Sequence, residues 1–126
     1  MSIRTERLSR EIVRILSQII MREMNDPRMG FVTVVRARIS PDLRTATVFL
    51  SILGSEKEQK LTFAAIQHAR KFLQRNLGDG LGIRFTPELL LIHDRSVEKA
   101  IKMSQLLSEI STDKESDDGA NEKEEE

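Results

Sequence analysis

Arginine dominates the chemistry available to this chain. Thirteen arginines stand among the first 111 of its 126 residues. Arg4, Arg7, Arg10 and Arg14 recur three or four positions apart, which places them in one stripe of a helix. Like charges so spaced repel by a few tenths of a kcal/mol per pair, and only Glu6 and Glu11 are near enough to offset this. Such a stripe points to an anionic partner, with a solvated helix face as the alternative. Arg36 and Arg38 alternate along a strand pattern, and Arg44 follows a turn. Lys71 and Arg75 fall with Lys57 and Lys60 on one side of a second helical pattern. A guanidinium fork clamps phosphate bidentately, whereas a lysine acts as a point charge. Arg4, Arg7, Arg10, Arg36, Arg38, Arg44, Lys71 and Arg75 are therefore the candidate contacts to an RNA backbone.

Catalysis finds little support. The two histidines are His68 and His93, and neither has a serine or carboxylate at a spacing that suggests a relay. His93 and Asp94 alone make too small a ligand set for a metal. No phosphate-cradling glycine motif is present, and Gly78, Gly80 and Gly82 follow a helix where a cradle would precede one. The absence of cysteine excludes disulfides, thiolate metal sites and cysteine catalysis. No enzyme activity, cofactor or metal is expected. With no Trp or Tyr and five Phe, most of them expected in the core, base readout is expected to be slight. Phe49 reads as a partly covered sheet residue. Recognition would rest on backbone charge and shape.

The elements that position these residues follow from periodicity. Residues 4–24 repeat Leu8, Ile12, Ile15, Leu16, Ile19 and Ile20 on one helical face. Asn25-Asp26-Pro27 ends that helix, with Arg28 and Gly30 in the connection. Two strands are expected at Phe31–Ile39 and Thr45–Ile52. Val35, Ala37 and Ile39 alternate with Val34, Arg36 and Arg38 in the first. Ala46, Val48, Leu50 and Ile52 form the apolar row of the second. Ser40-Pro41-Asp42 is turn chemistry, so the pair should be an antiparallel hairpin. Ser55 and Glu58 form a capping box for a helix whose apolar face reads Leu61, Ala65, Ala69, Phe72, Leu73 and Leu77. The three glycines stop it, and Ile83–Ile92 reads as a buried strand. Pro87 within that run favours an edge position or an irregular start. Ser96 can cap a short final helix with Val97, Ala100, Ile101, Leu106 and Leu107 as its apolar positions. The result is an α+β layer, helix, strand, strand, helix, strand, helix, with a three-stranded sheet and helices on one face.

The formal net charge of zero conceals an asymmetry. Residues 112–126 hold eight acids and two lysines, a charge of −6, so residues 1–111 carry 18 cations against 12 acids, or +6. Residues 1–111 are expected to form one domain and 112–126 a disordered acidic tail. A positive body with an acidic tail is the asymmetry of a nucleic-acid binder. No apolar run approaches the ~20 residues that span a bilayer, and the charged N-terminus lacks a secretory core segment. A cytoplasmic monomer without a membrane partner is the expectation.

The order of elements matches the bacterial type of KH domain, and particular residues carry the likeness further. They are the arginine-rich Arg4 to Arg14, Asp26-Pro27-Arg28, the valine-rich first strand, Ser40, Asp42-Leu43, Ala46 and Leu53-Gly54, then Leu77, Arg84, Pro87-Glu88-Leu89 and Asp94. In this order and spacing the chain resembles the ribosome-binding factor A family over nearly all of residues 4–110. The resemblance implies a KH-like fold without the glycine-x-x-glycine loop. In that family a helix kink at an alanine-x-glycine stands in its place. The alanine falls on Ala69, but the third position is Lys71, which propagates helix better than glycine by about 1 kcal/mol and would favour a straighter helix. The resemblance further implies a partner, the immature small ribosomal subunit and its rRNA, and a role in late maturation of that RNA. The alternative is a protein-interaction module that docks through the apolar edge of its terminal helix without touching RNA.

Overall fold

The structure, a computed structural model, describes residues 3–24 and 30–121, the last ten by backbone alone. The expected end of the first helix at Asn25-Asp26-Pro27, and Arg28 after it, lie outside the described residues. Seven elements follow in order: α1 (Ile3–Glu23), β1 (Phe31–Ile39), β2 (Thr45–Leu53), α2 (Glu56–His68), α3 (Arg70–Leu81), β3 (Glu88–His93) and α4 (Ser96–Asn121). The chain is thus an α+β fold of four helices and a three-stranded mixed sheet. Its strand order is β1-β2-β3, with β1 antiparallel and β3 parallel to β2. Residues 1–94 form one unit and 95–126 a second.

Within the first unit, the central strand β2 buries Ala46, Val48, Leu50 and Ile52 on one face, as its alternation dictates. The strand β1 departs from the expected phase. A bulge between Val34 and Arg36 leaves Val35 without a β2 partner, and Val35 is 41% exposed while Val34 and Ile39 are buried. One extra residue in a strand shifts its side-chain alternation by one position. Val34 therefore joins Ile39 on the core side, and Arg36 and Arg38 stay outside. Onto this sheet α1 brings Ile12, Ile15, Leu16, Ile19 and Ile20, and α2 and α3 bring Ile66, Leu73 and Leu77.

The capping box forms as read: the Glu58 amide donates to Ser55 Oγ at 3.1 Å and the Ser55 amide to Glu58 Oε1 at 2.8 Å. The buried stripe behind it is not the expected one. Leu61 is 54% exposed and Phe72 is exposed as well, while Gln59 and Thr62 are buried beside Ile66. Two backbone groups explain the rotation. Thr62 Oγ1 accepts the Gly30 amide at 2.7 Å, and Gln59 Nε2 donates to the Gly54 carbonyl at 2.9 Å. Turning these two side chains inward pairs them with partly buried backbone groups. Ala69, at φ −91° and ψ 11°, separates α2 from α3. Its amide is shared between the carbonyls of Ala65 and Ile66, so the helix breaks here even with Lys71 two positions on.

Gly78 and Gly80 lie inside α3, contrary to the expectation that all three glycines stop it. Gly82 alone is the cap, at φ 66°, with its amide on the Gly78 carbonyl at 3.1 Å. The two internal glycines are places of close approach, since a Cβ on Gly78 would strike the Thr86 side chain and one on Gly80 would meet Ile15 at 3.1 Å. The strand expected from Ile83 begins only at Glu88 and is half-buried, with Leu89 and Leu91 inside and Leu90 and Ile92 outside. Pro87 is buried just before it, which is the irregular start. Its edge amide at Leu89 is satisfied by Gln74 Oε1 of α3 at 3.1 Å. In the second unit, α4 is longer than the short helix expected, and Val97, Ile101, Leu106 and Leu107 are exposed.

Thr62→Val should destabilise the protein by about 1–3 kcal/mol, because it orphans a backbone amide. Leu61→Ser should cost less than about 0.5 kcal/mol. Gly82→Ala has open space around it and should still cost about 1–2 kcal/mol through its left-handed φ alone. Urea unfolding of the three variants checks the order.

Candidate nucleic-acid interface

Three of the eight candidate cations converge where α1, the hairpin turn and the segment after α3 meet. The first turns of α1 present Arg4 and Arg7. The turn between β1 and β2 presents Arg44, and residues 80–86 close the remaining side. The result is a cleft of about 770 Å³ whose walls include Leu8, Leu43, Leu81 and Ile83. A fourth cation, Arg84, and the ring of Phe85 complete its rim.

The hairpin turn is built to hold Arg44 in place. The Leu43 amide closes the turn on the Ser40 carbonyl at 2.8 Å, with Leu43 itself at φ 62°. Asp42 Oδ1 accepts the Ser40 hydroxyl at 2.6 Å and the Arg44 amide at 3.1 Å. These two donors, the hydroxyl first, hold the Asp42 carboxyl below its ordinary range. The Arg44 carbonyl in turn accepts the Glu88 amide at 2.8 Å, tying the turn to the start of β3.

Two carboxylates border the cleft, and both are engaged. Asp42 serves the turn. Glu11 pairs with Arg14 at 2.7 Å, and that hydrogen bond keeps its carboxyl below the usual value and raises the Arg14 guanidinium. Both therefore stay ionised at neutral pH. Against them stand Arg4, Arg7, Arg44 and Arg84, none of which makes a salt bridge among the described residues, although the charge of Arg44 also acts on the Asp42 carboxylate.

A second, smaller cleft of about 430 Å³ brings Lys71 and Arg75 together with Arg70, between α3 and the start of β3. Gln74 and Glu88 line it too. Thr86 belongs to both clefts, so the two adjoin on either side of the chain leading into β3. The remaining candidates stand apart. Arg10 is exposed on α1 and lines neither cleft. Arg36 and Arg38 lie on the sheet face away from the core, where the Arg36 guanidinium covers the Phe49 ring at 3.9 Å from its centroid. His68 is exposed at the end of α2, and His93 stacks on Phe63 with ring centroids 5.4 Å apart. Among the described residues, no group of three or more His, Asp or Glu could hold a metal ion, and no helix is long and apolar enough to cross a membrane.

Sequence reasoning missed Arg70, Arg84 and Phe85. The last two fell inside a stretch read as a buried strand, and the phenylalanines were expected mostly in the core. None is fully buried, and Phe85 is 78% exposed. Gly82 and Pro87, five positions apart, were the available signal that the stretch between them is a loop.

Known proteins share this architecture. The crystal structure of ribosome-binding factor A from Thermus thermophilus superposes with a TM-score of 0.61 at 24% identity, over 71% of this chain and 94% of that one. Coordinates of the Thermus thermophilus factor fitted into a cryo-EM map of a complex with the 30S subunit give a TM-score of 0.63 at 23% identity, over 72% and 96%. A ribosome-binding factor A of Lachnoclostridium phytofermentans is 40% identical over 98% of this chain and 96% of that protein. One from Roseiflexus castenholzii is 46% identical over 85% and 83%. The family model described as ribosome-binding factor A matches residues 4–107, and with these relatives it shows that the chain belongs to the ribosome-binding factor A family.

Proposed function

We propose that this protein binds the immature small ribosomal subunit through its RNA and assists late maturation of that RNA by binding rather than by catalysis. The observation that carries the reading is the pair of adjoining clefts. Seven cations, Arg4, Arg7, Arg44 and Arg84 on one side of Thr86 and Arg70, Lys71 and Arg75 on the other, border one stretch of chain. Six guanidinium groups and one ammonium against the carboxylates of Glu11, Asp42 and Glu88 leave an excess of positive charge, which suits a sugar–phosphate backbone gripped by charge and contour. The Thermus thermophilus factor fitted into a 30S map supports the same partner by kinship. Arg10, Arg36 and Arg38 remain proposed contacts, placed away from the clefts. The break at Ala69 lies one residue from Arg70 and two from Lys71, both of which line the second cleft. The protein acts as a cytoplasmic monomer in this reading, and the acidic tail competes with RNA for the same cations.

One observation favours a second reading. The helix α4 exposes Met103, Leu106, Leu107 and Ile110, as a protein-docking module would. Ribonuclease treatment of a lysate separates the two: an RNA-held factor leaves the small subunit, and a protein-held one stays.

Affinity for small-subunit RNA should fall roughly a hundredfold between 50 and 200 mM salt if about five phosphates are neutralised. Lys71→Glu with Arg75→Glu should lower the salt slope by about two units and leave the melting temperature nearly unchanged. A chain ending at Ser111 should bind non-specific RNA more tightly than the full chain. Filter binding across a salt series reads all three affinities and thermal unfolding the melting temperature; salt-independent association would overturn the proposal.

A further inference from the structure

We infer that the larger cleft seats a single unstacked nucleotide of a single-stranded RNA segment, its base stacked on Phe85 and its flanking phosphates on Arg4, Arg7, Arg44 and Arg84. The inference deepens the RNA-binding reading above and rests on it.

Charge and shape meet at this place in a way that backbone recognition alone does not require. A groove that only tracks phosphates needs cations. This one also has apolar walls, and at about 770 Å³ it falls in the ~300–1,000 Å³ range of sites that enclose a small ligand. Leu8, Leu43, Leu81 and Ile83 supply the walls. Phe85 supplies a flat ring that is 78% exposed, a large cost in apolar surface left wet. Arg84 sits with its guanidinium 5.5 Å from that ring's centroid, within cation–π reach. An arginine beside an exposed aromatic is the pairing that holds unstacked bases, one group taking the π-face and the other the phosphate or the base edge.

The other phenylalanine near arginine is closed to this use. Phe49 lies in the sheet with Arg36 at 3.9 Å over its ring, and it is partly buried. Phe85 stands in the four-residue bridge between Gly82 and Pro87, where no strand partner hides it. A duplex cannot offer a free base face, so the occupant must be single-stranded or extruded. An acidic peptide would satisfy the arginines and leave the ring unexplained.

Fluorescence anisotropy on the full chain tests this with four probes of equal length: oligouridylate, oligoadenylate, an abasic RNA oligomer and a short RNA duplex. The two base-bearing single strands should bind at least about fivefold more tightly than the abasic oligomer. Phe85→Ala should erase that margin, Phe85→Tyr should keep it, and neither should change affinity for the abasic oligomer. Adenosine 5′-monophosphate at the oligomer's concentration should not displace it. Equal binding of abasic and base-bearing strands, an unaltered Phe85→Ala variant, preference for the duplex, displacement by the mononucleotide, or a polyglutamate peptide that binds in a Phe85-dependent manner would each overturn the inference. Such results would leave the RNA-binding reading intact as long as the Lys71→Glu, Arg75→Glu variant still weakens every probe. If the wild-type chain bound none of the four, both would fail.

Discussion

One face of β2 must stay dry, and most of the first unit is arranged to keep it so. The strand is paired on both sides, antiparallel to β1 and parallel to β3, so its backbone groups are satisfied within the sheet. Its row of Ala46, Val48, Leu50 and Ile52 then needs a cover. The helix α1 with the α2–α3 pair provides it, at about 25 cal/mol for each Å² of apolar surface removed from water. The bulge at Val35 serves the same requirement in β1, letting Val34 and Ile39 both reach the core although residues five positions apart lie on opposite faces of a regular strand.

A dry core of this size excludes charge. Residues 1–111 hold 18 cations, and burying even one without a partner would cost far more than a domain's net stability allows. They are pushed to element ends, turns and outer faces. The ends of elements are also where separate parts of the chain converge. Arg44 after a turn, Arg84 after a helix cap and Arg4 and Arg7 at a helix start come together for that reason. The clefts thus arise from the same constraint as the core. The Asp42 turn and the Gln74 contact to β3 hold their walls in register.

Close packing at small residues shapes the same region. Gly78 leaves room for Thr86, and Gly80 leaves room for Ile15. Larger residues at either place would push the 83–87 segment or α1 away from α3. That segment forms the partition between the two clefts, so helix packing and the interface depend on the same two glycines.

Patterns local in sequence were legible without coordinates. The hairpin follows from Ser40-Pro41-Asp42, the capping box from Ser55 and Glu58, and the dry row of β2 from strict alternation, because each depends on neighbours a few residues away. The arginine stripe of α1 was legible for the same reason. What the sequence could not settle were choices made by distant partners. Thr62 is buried and Leu61 is not because the Gly30 amide, 32 residues away, needs an acceptor. Gly78 and Gly80 continue a helix rather than end it because Thr86 and Ile15 press against them. Phe85 stands in the open because β3 cannot pair before Pro87. Periodicity fixes which residues share a face; only the packing of that face against the rest of the chain decides which way it turns.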